Sequence, residues 1–139
     1  QGKGWNVEQR NGKVDVGMGA KRRFSSGSAS VDPGGREALQ GLAGVIAEQS
    51  DLEIVVEGHT DTDQLRSTSI PRNNWELSVL RATAVVNILL ENPGVDPSML
   101  AASGRSEYHP VDASDKSKNR RIEVILAPNL DSLYELIAD

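Results

Sequence analysis

Apolar side chains along residues 73–91 recur at steps of three and four, a spacing that puts them on one face of a helix. Leu77, Ala84 and Ile88 follow this spacing. Arg81 falls in the same stripe, in the second turn of the predicted helix. A charge on the apolar face of a helix is costly to bury unless it is paired. The pattern therefore predicts an amphipathic helix that directs one arginine toward groups of opposite charge.

Two further segments have apolar residues at helical spacing. The first covers residues 33–49, where Asp32 is a typical N-cap and Pro33 suits the first turn. The second follows Pro128 and predicts a C-terminal helix over about residues 129–138, which either covers the domain's own sheet or closes a homodimer interface. The apolar positions are Leu39, Leu42, Ala43 and Ile46 in the first segment, and Leu130, Leu133, Tyr134 and Ile137 in the second.

Short alternating or β-branched segments predict the strands, at residues 13–18, 52–57, 99–103 and 121–126. Residues 5–9, ahead of an Asn-Gly turn signal, form a weaker first arm of a hairpin. Strands joined through helices favour a mixed sheet with helices packed on it. We therefore predict an α/β fold in the order β-α-β-α-β-β, with about four strands, two main helices and the C-terminal helix.

Length and composition set the limits on function. The 139 residues predict a single domain, with a core of about residues 14–127. The net charge of −5 argues against a nucleic-acid surface, and the absence of cysteine excludes thiol catalysis and disulfides. No run of 18 apolar residues occurs. The chain opens on Gln1, so we expect any targeting or anchoring segment to lie upstream.

A run of polar residues, Glu57-Gly-His-Thr-Asp-Thr-Asp63, follows the strand at residues 52–57. Asp61 and the helix-borne Arg81 together could hold a ligand with both charges, or could form a structural ion pair. His59, Asp61 and Asp63 alternate, which leaves a metal site as a minor alternative. Nucleophile motifs such as G-x-S-x-G are absent from the sequence, so we expect a binding domain without cofactor or metal rather than an enzyme.

Three segments together resemble the OmpA-like peptidoglycan-binding domain. They are Val56-Glu-Gly-His-Thr-Asp61, Asn74-Trp-Glu-Leu-Ser-Val-Leu-Arg-Ala82 and Asn119-Arg-Arg-Ile-Glu-Val124, which stand in the family's order. The longer loop after the first segment, together with Gly104-Arg-x-x-Tyr-His-Pro-Val111, is similar to the MotB-type branch of the family, the flagellar stator subunits. The resemblance covers roughly residues 14–127 and implies the same α/β fold.

The resemblance also implies a ligand and a set of site residues. The family holds the diaminopimelate of the peptidoglycan stem peptide, whose side chain ends in an ammonium and a carboxylate. Asp61 matches the residue that accepts from the ammonium, and Arg81 the one that forks onto the carboxylate. The last strand should then run antiparallel to the strand at residues 52–57. The implied ligand-binding residues are Thr60, Asp61, Asn74, Leu77, Arg81, Asn119 and Arg120.

The implied function is non-covalent anchoring of a cell-envelope or flagellar motor protein to the cell wall, in the periplasm. Peptidoglycan is the expected partner, and a stator would engage its own partner through an upstream segment. An outer-membrane or lipoprotein anchor is the alternative, and a metal-dependent cell-wall hydrolase is a weaker one. We further expect Arg81 to lie near the pocket mouth and outside the core, so that its loss spares the fold.

Overall fold

The computed structural model describes residues 5–18, 24–49, 51–128 and 137. Five strands form one mixed sheet in the order β1-β2-β5-β3-β4, in which β3 and β4 are parallel and the other neighbours antiparallel. The strands are β1 (Trp5–Arg10), β2 (Lys13–Met18), β3 (Leu52–His59), β4 (Leu100–Gly104) and β5 (Arg121–Pro128). The helices are α1 (Pro33–Ala47), α2 (Asn74–Leu89) and the short α3 (Lys116–Asn119), with a 3-10 turn at Pro97–Met99.

The predicted α/β fold is confirmed, with one strand more than expected. Residues 5–10 pair with β2 along their whole length, so the weak first arm of the hairpin is a full strand. The loop predicted between the last two strands contains α3, which Asp115 begins by accepting a hydrogen bond from the Ser117 amide. The predicted C-terminal helix, and with it a homodimer interface, falls almost entirely outside the described residues. Among the described residues, we find no helix with the length and hydropathy of a membrane span.

The core lies between one face of the sheet and the two long helices. Alternation along β3 and β5 points Ile54, Val56, Ile122 and Val124 to this face, and all four are buried. From α1 and α2 the core receives Leu39, Ala43, Ile46, Ala82, Val85, Ile88 and Leu89. The helical spacing read from the sequence therefore predicts most of the two buried faces, including the place of Arg81 on α2, although Leu42 and Ala84 are only partly buried.

Two glycines on neighbouring strands allow α2 to approach the sheet closely. Gly58 of β3 and Gly104 of β4 are paired in register. A Cβ atom at Gly58 would overlap the main-chain carbonyl of Ser78, and one at Gly104 would overlap the Ser78 hydroxyl. This contact fixes the second turn of α2 against the end of β3, and so determines where Arg81 lies.

The antiparallel pairing of β5 with β3 confirms the predicted strand direction. His59, the last residue of β3, lies opposite Arg121, the first residue of β5. The residues just after β3 and those just before β5 are therefore neighbours at one edge of the sheet. This edge brings Asp61 and Arg120 together.

Candidate functional site

A small pocket opens where β3 ends, between the start of α2 and the loop that precedes α1. Its cavity measures about 70 Å³. Four of the residues predicted from the sequence line it, and the loop after β3 and the loop before α1 contribute the remaining wall. The lining residues are Ser26, Gly27, Asp61, Asp63, Gln64, Leu65, Asn74, Leu77 and Arg81. A cavity of this size suits the polar end of a side chain rather than a whole peptide.

Asp61 supplies the negative charge of the pocket and is only 5% exposed. Arg120 Nη1 donates to Asp61 Oδ2 at 2.7 Å, and the amide of Asp63 donates to Asp61 Oδ1 at 3.0 Å. An ionised carboxylate has about four lone-pair positions, so these two bonds leave acceptor capacity for a ligand. The carboxylate is thus held in a fixed orientation while it can still accept a further hydrogen bond.

Arg81 lies inside the fold and is 0% exposed, which corrects the expectation that it stands outside the core. Its guanidinium donates from Nε to the Ser28 carbonyl at 2.8 Å, from Nη1 to the His59 carbonyl at 2.8 Å and from Nη2 to the Ser25 carbonyl at 3.0 Å. The Phe24 ring lies beneath it, with its centroid 4.9 Å from the guanidinium carbon. The physical reason is that three backbone carbonyls accept its N–H groups, so the guanidinium keeps hydrogen bonds when it is buried.

These contacts make Arg81 the connection between three walls of the pocket. One wall is α2 itself, the second is the end of β3, and the third is the turn at residues 25–28, where Gly27 adopts a positive φ of 71°. Three of the five guanidinium N–H groups are engaged by carbonyls, which leaves one on each terminal nitrogen. Burial lowers the pKa of Arg81 to about 10, although the charge of Asp61 raises it. The side chain therefore stays cationic at neutral pH.

Asn74 contributes a polar group without a partner. Its Nδ2 donates to the Asp63 carbonyl at 3.1 Å and to Glu107 Oε1 at 3.2 Å. Its Oδ1 is buried and has no hydrogen-bond partner within the part of the chain that the structure describes. A buried acceptor left unpaired is unfavourable, so a ligand donor at this position would remove a cost.

The other predicted residues divide between pocket support and the neighbouring loop. Leu77 lines the pocket, whereas the Thr60 hydroxyl is buried and donates to the Asp61 carbonyl at 2.9 Å. Asn119 was expected in the same pocket but is not among its lining residues. Its Oδ1 accepts from the amides of Val111 and Asp112 at 2.8 and 3.0 Å, which holds the loop before α3.

Sequence reasoning missed the loop residues of the wall, such as Ser26, Gly27, Gln64 and Leu65. The small-residue stretch around Gly27 is the only pattern that could have indicated a turn there. Gln64 and Leu65 lie in a loop without periodicity, and nothing in the sequence around them predicts which side chains turn inward.

The metal site considered for His59, Asp61 and Asp63 is not the arrangement found. Asp61 and Asp63 lie beyond the end of β3, so the strand alternation does not extend to them. Among the described residues, the side chains whose ligand atoms come within 4.8 Å of one another are those of Glu57, His59 and Glu123. They lie on the sheet face opposite the core, with Glu57 and Glu123 paired in register.

Each carboxylate of this cluster already has protein partners. His59 Nε2 donates to Glu57 Oε1 at 2.9 Å, and Arg105 Nε lies 3.1 Å from Glu57 Oε2. Arg121 Nε lies 2.7 Å from Glu123 Oε2. The hydrogen bond from His59, aided by Arg105, lowers the pKa of Glu57 to about 2. The cluster thus has the features of an internal charge network of the sheet.

Residues 23–123 match the sequence profile of the OmpA family. The chain belongs to the OmpA family. Motility protein B of Bacillus subtilis (strain 168) is 33% identical over 109 residues, which cover 76% of this chain and 41% of that protein. The MotB-type resemblance expected from the sequence is confirmed by this match, and the chain spans less than half the length of that relative.

Solved structures agree with this OmpA-family assignment. The periplasmic domain of Helicobacter pylori MotB has the same fold, with a TM-score of 0.81, 22% identity and coverage of 99% of this chain and 88% of that one. The cell wall anchor of the T6SS from Pseudomonas aeruginosa has a TM-score of 0.73 at 27% identity, and the match covers 91% and 89% of the two chains. The chain therefore combines an OmpA-family sequence with the fold of a MotB periplasmic domain.

Proposed function

We propose that this domain binds the stem peptide of peptidoglycan without forming a covalent bond, by holding the side-chain end of diaminopimelate. One observation supports the proposal above the others: a buried carboxylate and a buried guanidinium, Asp61 and Arg81, line one small pocket at the end of β3. Diaminopimelate ends in an ammonium and a carboxylate on one carbon, so a pocket with both charges is complementary to it.

In the proposed complex the ligand ammonium donates to Asp61 and to the unpaired Oδ1 of Asn74. The ligand carboxylate accepts the N–H groups of Arg81 that no carbonyl uses, which is the forked pairing that a guanidinium favours. Arg120 holds the Asp61 carboxylate in place through its 2.7 Å contact. Leu77 packs against the apolar methylene part of the side chain.

The proposed cellular role is to anchor a larger envelope protein to the cell wall. The cell wall anchor of the T6SS, which shares the fold at 27% identity, supports this role. The likeness to motility protein B favours a flagellar stator subunit, whose motor partner would bind a segment outside this chain. The alternative is an outer-membrane or lipoprotein anchor. Fractionation of cells that express the full-length protein, followed by a motility assay of a deletion strain, distinguishes the two.

Sedimentation with purified, insoluble sacculi tests the pocket. Asp61→Asn removes the charge that the ammonium needs, and we expect a loss on the order of 1.5–3 kcal/mol, or about ten- to hundredfold in affinity. Glu53→Gln is the matched control, because Glu53 is an exposed carboxylate near the start of β3, the strand that leads to Asp61. An analogue of diaminopimelate without the side-chain ammonium should bind the wild type about as poorly. Equal binding of sacculi by Asp61→Asn and Glu53→Gln would refute the proposal.

A further inference from the structure

Two aromatic rings stand exposed beside each other at the start of α2. Trp75 is 52% exposed and Tyr108 is 63% exposed, and their ring centroids lie 5.6 Å apart with an interplanar angle of 40°. The sequence has only five aromatic residues of the Phe, Trp and Tyr types, so this pair is a large share of them. Exposed aromatic pairs of this kind mark contact surfaces rather than core packing.

The backbone beneath the two rings is fixed by hydrogen bonds. The Ser78 hydroxyl donates to the Trp75 carbonyl at 2.9 Å and accepts from the amide of Ser106 at 3.1 Å. The carbonyl of Ser106 accepts in turn from the amide of Thr60 at 2.8 Å. The turn that bears Tyr108 is therefore attached both to α2 and to the end of β3, so the backbone that carries the two rings is fixed with respect to the pocket.

The aromatic pair is also continuous with the pocket wall. Glu107 precedes Tyr108 and accepts from Asn74 Nδ2 at 3.2 Å, and Asn74 directly precedes Trp75. Gln64 Nε2 also donates to Glu107, at 3.2 Å. Asn74 and Gln64 both line the pocket. A ligand that enters the pocket and continues past this shared wall meets the two rings.

We propose that Trp75 and Tyr108 bind the sugar rings of the peptidoglycan glycan strand by stacking. This inference rests on the proposed binding of the stem peptide, which is covalently linked to that strand. A pyranose ring has a face of C–H groups that packs on an aromatic ring, and its hydroxyls can donate to a carboxylate such as Glu107. Indole and phenol rings have few rotatable bonds, so ordering them on a sugar has a low entropic cost. The site would thus read peptide and glycan together.

The test compares two soluble ligands by isothermal titration calorimetry. One is a diaminopimelate-containing stem peptide, and the other is the same peptide attached to its disaccharide. We expect the wild type to bind the disaccharide form about tenfold more tightly. Trp75→Ala and Tyr108→Ala should each remove most of that advantage while leaving the affinity for the free peptide unchanged. Trp75→Phe should restore part of it, and Val45→Ala, at a residue 58% exposed on α1, is the control.

A direct readout accompanies the affinities. The indole N–H resonance of Trp75, assigned with Trp75→Ala, should shift when the disaccharide form is added and stay in place with free peptide. The inference is overturned if the wild type binds both ligands equally, or if Trp75→Ala weakens both alike. It is also overturned if the variants keep the sugar advantage but change the sedimentation of the protein, since the rings would then form a protein interface. Failure of the wild type to bind free stem peptide would instead refute the proposed function.

Discussion

Arg81 has a structural role that its contacts show and a ligand-binding role that we propose. Three of its N–H groups hold carbonyls of the end of β3 and of the turn at residues 25–28. The remaining N–H groups are those that we propose for the ligand carboxylate. A single residue thus couples the formation of the pocket to its charge. The effect of a substitution at Arg81 must therefore be measured both on the stability of the domain and on its binding of peptidoglycan.

Arg81→Ala should destabilise the domain by about 3 kcal/mol, because the buried carbonyl of His59 and the part-buried carbonyls of Ser25 and Ser28 each lose a donor and a large buried side chain is removed. Arg81→Lys keeps the charge and loses the fork, so we expect a smaller loss of stability and a sacculus affinity reduced at least tenfold. Urea denaturation and sacculus sedimentation measure the two effects. Arg36→Ala is the control, because the Arg36–Glu91 pair at 2.5 Å is solvent-exposed and should contribute little to stability. Equal stability of Arg81→Ala and Arg36→Ala would contradict the structural task.

Glu57 gives the domain a predictable dependence on acid. Its pKa in the folded state is about 2, below the ordinary value of 4.5, chiefly because His59 donates to it. The stabilisation is therefore complete above pH 4.5 and is lost as the pH falls toward 2. Glu57→Gln should be less stable than the wild type at pH 7, and the difference should shrink through this window. Urea midpoints measured from pH 7 to pH 2.5 test it, and a constant difference would be the contrary result.

Helix α2 packs closely against the sheet because β3 and β4 each have a glycine, which lacks a side chain, at the point of contact. Gly58 and Gly104 leave room for the backbone and hydroxyl of Ser78, and this approach carries the start of α2 to the pocket. The fit is one of shape alone, since neither glycine has a positive φ. The geometry of the pocket therefore depends on the distance between this helix and the sheet.

Gly58→Ala should destabilise the domain by about 2 kcal/mol or more, because its Cβ would displace the α2 backbone. Sacculus binding should weaken with it, since Arg81 and Asn74 move with the helix. Gly41→Ala in α1 is the matched control: its Cβ meets nothing within 4 Å, and alanine favours a helix by about 1 kcal/mol. Thermal unfolding should thus move in opposite directions for the two variants. A Gly58→Ala protein as stable as the wild type would show that the close contact is unimportant.

The sequence predicted the helices and strands whose apolar residues recur at a regular spacing. It predicted the residues of the pocket only in part. Spacing alone identified α2 and the place of Arg81 in its apolar stripe, whereas the direction of β5 came from the family resemblance and Arg81 was still expected outside the core. The carbonyl partners of Arg81 could not be foreseen, because every residue has a carbonyl and only the tertiary fold selects three of them. Asn119 shows a different limit of the sequence. The family motif assigns this residue to the ligand site, but in the structure its side-chain oxygen accepts from the backbone amides of residues 111 and 112 and holds that loop.

The domain as a whole has a net charge of −5, and at the pocket its carboxylates are paired with cations. Arg120 contacts Asp61 at 2.7 Å and Lys116 contacts Asp63 at 2.5 Å, with Arg81 behind them. These cations compensate the carboxylates without a metal ion. The charge recognition that we propose therefore relies on side chains of the chain itself.

Metal removal tests this account of the charges. Exhaustive dialysis against EDTA should leave the melting temperature and sacculus binding unchanged, because arginines already neutralise the carboxylates of Glu57 and Glu123. The result matters since His59 Nδ1, beside them, is buried without a hydrogen-bond partner in the described chain. Dialysis without EDTA is the control, and elemental analysis accompanies both samples. If EDTA removes a stoichiometric metal and lowers the melting temperature, the Glu57–His59–Glu123 cluster would be identified as a metal site. The interpretation of this cluster as an internal charge network would then be wrong.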